Sequence, residues 1–253
     1  MNRPRIIPVL QIHKRGLVKT ANFKIEKYIG DPINAVRILD EKEVDELVLL
    51  DISASKERRG PDFELIRELA QECFMPLCYG GGVTNLTEFE TLFQLGVEKV
   101  AVNSECFGGF DLVSRASNLF GSQSVVVSID VKRNFLGGHA VFSHSGRQVR
   151  EKNPAVFAKN AQDAGAGEIF LTSVDQDGSR SGFDLPIICA VASQISVPLI
   201  ACGGGGELSH FRNALVAGGA SAAAGGSFFV LHGKHKAVLI TYPDPDKIAK
   251  LIG

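Results

Sequence analysis

The chain of 253 residues lacks several features that mark specialised classes of protein. Neither charge sign is in excess, since 27 Lys and Arg face 28 Asp and Glu, and this argues against binding nucleic acids or membranes by bulk electrostatics. No apolar run reaches the roughly 18 residues of a membrane-spanning helix, and the N-terminus has no signal-peptide stretch. The five cysteines include no CxxC pair, which argues against a disulfide framework or a zinc site. These absences predict a cytoplasmic globular protein without a metal or a cofactor.

Eight short apolar runs recur along the chain and alternate with amphipathic stretches. Their nearly continuous hydrophobicity is typical of parallel strands that are covered on both faces. The stretches between them carry helix signals, such as Asp31 and Pro32 at the start of one and Gly96 at the end of another. The pattern predicts a single α/β domain over residues 1–253, a (β/α)₈ TIM barrel, with an open doubly wound sheet as the alternative. The runs are residues 5–12, 46–52, 75–81, 99–104, 124–131, 168–175, 197–204 and 220–226.

The two halves of the sequence resemble each other. "IIPVLQIHKRG" aligns without gaps with "VVVSIDVKRNF" and pairs Gln11 with Asp130, while the second strands pair Glu46 with Glu168. Each half also has a glycine cluster after its third strand. We therefore predict two similar half-barrels, about residues 1–121 and 122–253, with duplicated ligand sites.

Glycines and polar residues collect at the C-terminal ends of the predicted strands, where barrels of this class carry their active sites. Glycine clusters let backbone N–H groups approach an anion, although they also serve simply to make tight turns. Two symmetric clusters beside hydroxyl groups favour two sites for a ligand with phosphate at each end. The predicted phosphate-binding residues are Gly81, Gly82, Asn103 and Ser104 on one side and Asp177, Gly178, Gly204, Gly205, Gly226 and Ser227 on the other.

Three more side chains at this end are candidates for chemistry. Asp130 is a candidate general acid or base, although a lone Asp at a strand end more often forms a turn or a helix cap. Its counterpart Gln11 has a neutral amide, which cannot transfer protons. Lys19 lies in a long polar loop predicted after the first strand, where it either closes over an anionic ligand or is simply solvated.

Four charged residues lie at the opposite ends of the predicted strands. Arg5, Glu46, Lys99 and Glu168 each directly precede an apolar run, and their signs alternate. They could form a closed ring of salt bridges around the barrel axis. The ordinary alternative is four solvated charges that contribute little to stability.

These motifs resemble HisF, the cyclase subunit of imidazole glycerol phosphate synthase, from residue 5 to about residue 230. The resemblance implies a HisH-like glutaminase partner at the N-terminal face of the barrel, with ammonia entering through a gate that Arg5, Glu46, Lys99 and Glu168 match. It also implies that Lys19 is a mobile-loop lysine and that Asp130 is one of two catalytic carboxylates. Gln11 replaces the other. The motifs are "RIIP", "VDELVLLDISAS", "YGGGV", "VNS", "FGSQSVVVSIDVKR", "GAGEIFLTSVDQDG", "SGFD" and "CGGGG".

Gln11 sets the chain apart from the histidine-pathway cyclases. Other segments, such as the tail "SFFVLHGKHKAVLITYP", are more similar to WbuZ-type paralogues from surface-polysaccharide gene clusters. That resemblance implies a role in acetamidino-sugar formation for lipopolysaccharide O-antigen, with a glutaminase and an ATP-dependent amidotransferase. The tail's basic residues at 232–236 would then lie near the second phosphate site. The alternatives are a genuine cyclase (a lyase of histidine biosynthesis) that tolerates Gln11, and a non-catalytic ammonia conduit and scaffold.

Overall fold

Eight parallel strands close into a barrel in this computed structural model, which describes residues 4–135, 137–143, 148–149, 151–244 and 247–248. The strands are β1 (Arg5–His13), β2 (Gly16–Ala21), β3 (Lys24–Gly30), β4 (Leu47–Asp51), β5 (Leu77–Gly80), β6 (Lys99–Val102), β7 (Val125–Arg133), β8 (His139–Val141), β9 (Glu168–Ser173), β10 (Leu199–Cys202), β11 (Ala222–Gly225), β12 (Leu231–His232) and β13 (Ala237–Val238). The barrel strands pair in the order β1, β4, β5, β6, β7, β9, β10 and β11, and β11 pairs with β1 to close the ring. Each predicted apolar run overlaps one barrel strand, so the predicted TIM barrel is confirmed.

Helices connect the barrel strands and begin where local capping chemistry favours them. Asp31 caps the first helix by accepting a hydrogen bond from Asn34 N at 2.9 Å, and Pro32 occupies its first position. Asn85 and Glu88 form a reciprocal capping box on another. The helices are α1 (Pro32–Asp40), α2 (Ala54–Glu57), α3 (Phe63–Gln71), α4 (Leu86–Gln94), α5 (Asp111–Phe120), α6 (Pro154–Asp163), α7 (Leu185–Ala192), α8 (Leu208–Val216) and α9 (Ser227–Val230). Within the described ranges, none of them combines the length and the apolar character needed to cross a membrane.

The apolar residues form two separate layers, one inside the barrel and one outside it. Along β1 the layers alternate: Ile7 and Val9 belong to a cluster drawn from all eight barrel strands, whereas Ile6 and Leu10 pack with the helices. This is the period of two that a strand covered on both faces produces. The interior cluster comprises Ile7, Val9, Val48, Cys78, Ala101, Val126, Phe170, Ile200, Ala222 and Ala224.

The segment after the first barrel strand differs from the sequence prediction. We predicted a long polar loop there, but the chain forms a hairpin of β2 and β3, and β2 pairs antiparallel with the end of β1. The prediction of a loop was wrong because β1 continues past its pairing with β11, which ends at Pro8, and offers Gln11–His13 as a template for pairing. Leu17, Val18, Lys19 and Thr20 are consequently all buried. The hairpin thus lies at the C-terminal opening of the barrel.

Candidate functional site

A cavity opens at the C-terminal ends of the barrel strands, the place at which the sequence predicted an active site. It is bounded by the end of β1, the β2–β3 hairpin and the loops that follow the barrel strands. Most of the predicted residues reach it, and the exceptions all belong to the second predicted phosphate site. The predicted residues that line the cavity are Gln11, Lys19, Gly81, Gly82, Asn103, Ser104, Asp130, Asp177 and Gly226.

The first predicted phosphate site forms one wall of this cavity. Gly82 has a φ of 75°, and a Cβ there would lie 2.5 Å from the carbonyl oxygen of Arg59, so only glycine fits without strain. No residue in the described part of the chain accepts a hydrogen bond from the backbone N–H of Gly82 or Val83. Both residues line the cavity together with Ser104. Two available N–H groups beside a hydroxyl group are the elements of an anion site.

Buried polar contacts hold this wall in place. The Asp51 carboxylate accepts hydrogen bonds from Ser53 N and Ala54 N at 3.0 and 3.1 Å, and it forms a salt bridge with Arg59 at 2.8 Å. These contacts fix the short helix α2 beneath the glycines. The helix also places Lys56 on the cavity rim, a cation that the sequence analysis missed because α2 is too short to show helical periodicity.

Asp130 lies on β7. One oxygen of its carboxylate is hydrogen-bonded to the protein, and the residue also lines the cavity. Its Oδ2 accepts a hydrogen bond from Asn103 Nδ2 at 3.2 Å, and Asn103 also donates to Ser128 O at 2.9 Å. Burial raises the pKa of Asp130 to about 7; the Asn103 hydrogen bond opposes this shift, and repulsion by Asp177 adds to it. A carboxyl group with this pKa exchanges protons near neutral pH, as a general acid or base must.

Gln11 lies in a hydrogen-bond network that joins the hairpin to the barrel. Its Oε1 accepts from Thr20 N at 3.1 Å and from Lys19 Nζ at 3.3 Å, and it lies 3.1 Å from Thr20 Oγ1. Lys19 forms a buried salt bridge with Asp177 at 2.9 Å, and the other Asp177 oxygen accepts from Thr20 Oγ1 and Phe23 N. One buried cation therefore balances one buried carboxylate. No sequence pattern indicated Thr20, because only the unpredicted hairpin brings it to this position.

The second predicted phosphate site is only partly open to the cavity. A Cβ on Gly178 would lie 2.7 Å from Thr20 O, and one on Gly226 would lie 3.2 Å from Lys19 Cε, so the hairpin packs directly against these glycines. The Asp177 carboxylate is engaged by the hairpin as well. The residues of this set that do not line the cavity are Gly178, Gly204, Gly205 and Ser227.

The four charged residues predicted at the other end of the barrel meet in a closed ring. Arg5 donates to Glu46 and Glu168, and Lys99 forms salt bridges with the same two carboxylates at 3.0 and 2.9 Å. Both glutamates are almost fully buried, at 2% and 4% exposure. Burial acts to lower the pKa of Lys99, but attraction to Glu168 and Glu46 outweighs it and raises that pKa. The cations therefore stay charged at neutral pH.

Comparisons with known proteins agree with the architecture. A family model described as "Histidine biosynthesis protein" matches residues 5–236. The chain is 52% identical over 248 residues to "Putative imidazole glycerol phosphate synthase subunit hisF2" of Pseudomonas aeruginosa, which covers 98% of this chain and 99% of that protein. It is 46% identical over 245 residues, 96% of each chain, to the "Putative imidazole glycerol phosphate synthase subunit HisF" of Leptospira borgpetersenii. It is also 42% identical over 253 residues to the "hisF3" subunit of Vibrio vulnificus, which covers 100% of this chain and 97% of that protein.

Proposed function

Because the chain belongs to the HisF-like family of histidine biosynthesis proteins, we propose that it is the ammonia-accepting synthase subunit of a glutamine amidotransferase complex. A HisH-like glutaminase docks at the N-terminal face of the barrel and releases ammonia there. The complex acts in acetamidino-sugar formation for a surface polysaccharide, together with an ATP-dependent amidotransferase. The cavity at the C-terminal face binds a phosphorylated ligand through Gly82 and Ser104.

The observation that carries this proposal is the closed ring of Arg5, Glu46, Lys99 and Glu168 at the N-terminal opening. Burying two carboxylates and two cations is costly, and apolar residues of similar volume would often stabilise a protein as well. A function of the ring accounts for the charges: it acts as the gate through which ammonia enters. Above it the barrel interior is apolar and includes the small residues Ala101, Ala222 and Ala224. Such an interior admits neutral ammonia and excludes ammonium ions.

The test is an isotope experiment with the reconstituted complex. Glutamine labelled with ¹⁵N in its amide is supplied together with an enzymatic trap for free ammonia. For the wild-type chain the label reaches the sugar product, and the trap reduces product formation little. In Glu168→Gln the ring loses one charge, so we expect a larger share of the label in the trap, while Glu90→Gln, an exposed substitution on α4, behaves as wild type. Strong loss of label to the trap in the wild-type chain would contradict transfer through the barrel, and an equally small loss in all three chains would contradict the ring as its gate.

A second function, the genuine cyclase of histidine biosynthesis, is favoured by one observation, the pKa of Asp130 near 7 beside an anion site. The discriminating assay follows turnover of the formimino-linked aminoimidazole carboxamide ribonucleotide with free ammonium. Wild-type turnover at the rate of a cyclase would refute the acetamidino-sugar proposal. No turnover, even in Gln11→Asp, would refute the cyclase.

The third function, an ammonia conduit and scaffold with no catalysis in the C-terminal cavity, makes a different prediction. The partly buried position of Asp130 on the cavity wall supports a direct role in handling the ligand. We therefore expect Asp130→Asn to reduce amidination in the reconstituted three-protein system by about 10²-fold, the lower range for loss of a general acid or base. Unchanged amidination would establish the scaffold instead.

A further inference from the structure

Gln11 presents an oriented hydrogen-bond donor to the cavity. Two donors, Thr20 N and Lys19 Nζ, converge on its Oε1 and fix which end of the amide is oxygen. Its Nε2 donates to none of the residues in the described ranges, and Gln11 lines the cavity. The amide NH₂ group therefore faces the ligand. A carboxylate at this position would present an acceptor there instead.

Asp130 presents the matching acceptor. Asn103 Nδ2 holds Oδ2, whereas Oδ1 accepts from no residue in the part of the chain that the structure describes. Both Gln11 and Asp130 line the same cavity. With Asp130 ionised, the site thus carries one donor and one acceptor, a pattern complementary to a carboxamide, in which a carbonyl oxygen accepts and the adjacent N–H donates.

The predicted phosphate site in the same cavity adds a second requirement. The backbone N–H groups of Gly82 and Val83 are available there, with Lys56 on the rim. These groups recognise an anion. A ligand that satisfies both requirements carries a phosphate and a neutral acylamino group.

We propose that Gln11 and Asp130 together bind an N-acyl group of the ligand, with Gln11 donating to the carbonyl oxygen and Asp130 accepting from the N–H. This inference rests on the proposed function only in placing the ligand in the cavity. It assigns to Gln11 a role in specificity: the amide selects a neutral acceptor where a carboxylate would select a cation or a donor. The acyl group is therefore recognised by this barrel directly.

The test compares three sugar phosphates that differ in a single substituent. N-acetylglucosamine 1-phosphate, glucose 1-phosphate and glucosamine 1-phosphate carry an acetamido, a hydroxyl and an ammonium group, respectively, on the same ring beside the same phosphate. Calorimetric titration of the wild-type chain should show the acetamido compound binding about tenfold more tightly than glucose 1-phosphate, because only the acetamido group offers both a carbonyl oxygen to Gln11 and an N–H to Asp130. Gln11→Met should lose most of this preference and weaken glucose 1-phosphate binding much less. Gln71→Met, on the exposed side of α3, is the matched control.

Gln11→Glu gives a reversal of preference that a merely structural role would not produce. The carboxylate keeps the shape of the amide but presents an acceptor, so glucosamine 1-phosphate should become the preferred ligand. Equal binding of all three sugars to the wild-type chain would overturn the N-acyl site and leave phosphate binding in the cavity intact. If neither inorganic phosphate nor any of the sugars binds, the proposed ligand site fails, and the N-acyl assignment fails with it.

Discussion

Asp130 shows how a single residue acquires its chemistry from its surroundings. Its carboxyl group is an ordinary one, and barrel burial alone accounts for most of the upward shift of its pKa to about 7. The residue type and its position at a strand end could be predicted from sequence. The hydrogen bond from Asn103 and the repulsion by Asp177 could not, because they depend on how three different strands close around the cavity.

The raised pKa predicts a pH dependence of stability at this residue. Because the folded-state pKa of Asp130 lies above the unfolded value, folding favours the protonated form. The stabilisation is complete below about pH 4 and is lost as the pH rises to about 7, at about 1.4 kcal/mol per unit of pKa difference. Urea unfolding from pH 4 to 8 should therefore show wild type losing stability relative to Asp130→Asn. The control Asp111→Asn, at an exposed carboxylate, should keep a constant difference from wild type, and a constant difference for Asp130→Asn would contradict the raised pKa.

The β2–β3 hairpin is the element that sequence reasoning missed, and the reason lies in its pairing. "GLVKTA" has two apolar and two polar residues in its buried centre, so it shows neither the alternation nor the continuous apolar run that identifies a strand. Its stability comes from the antiparallel extension of β1 and from the buried pair of Lys19 and Asp177. The eight barrel strands, in contrast, bury both faces and could be read directly from their apolar runs.

The Lys19–Asp177 pair should control how firmly the hairpin covers the cavity. Lys19→Met leaves the Asp177 carboxylate buried without its cation, which costs about 3–5 kcal/mol for a fully buried pair. We expect faster amide hydrogen exchange across residues 16–30 and unchanged protection in β5 and β6. Lys24→Met, at an exposed lysine of β3, is the control. The double variant Lys19→Met/Asp177→Asn should recover part of the protection, and the absence of any recovery would show that the ion pair is not what holds the hairpin.

At the scale of the whole molecule, the ring at the N-terminal opening joins strands that are distant in the chain. Arg5 and Glu168 are separated by 163 residues yet donate and accept a hydrogen bond. The alternating charges could be recognised in the sequence, but their closure into a ring depends on barrel closure, which pairs β11 with β1. Under the proposed function as an ammonia gate, stability and function make opposite demands on these four residues.

Removing one cation from the ring should lower the free energy of unfolding. In Lys99→Met two buried carboxylates share Arg5 alone, so the free energy of unfolding should fall by about 3–5 kcal/mol, the cost of breaking a buried pair. Lys159→Met, which removes an exposed ion pair on α6, should change it by less than about 1 kcal/mol. Chemical unfolding at constant pH measures both values. A loss in Lys99→Met no larger than that in Lys159→Met would mean that water reaches and screens the ring.

The course of β1 has a mechanical consequence. Arg5 begins this strand at one opening of the barrel and Gln11 lies near its end at the other, six residues or about 20 Å away. The strand runs without interruption and then pairs with the hairpin that covers the cavity. The N-terminal opening of the barrel and the hairpin over the cavity are consequently connected by one continuous strand. A force that shifts Arg5 along the barrel axis therefore acts on Gln11 and the β2–β3 hairpin through the strand itself, and no loop lies between them.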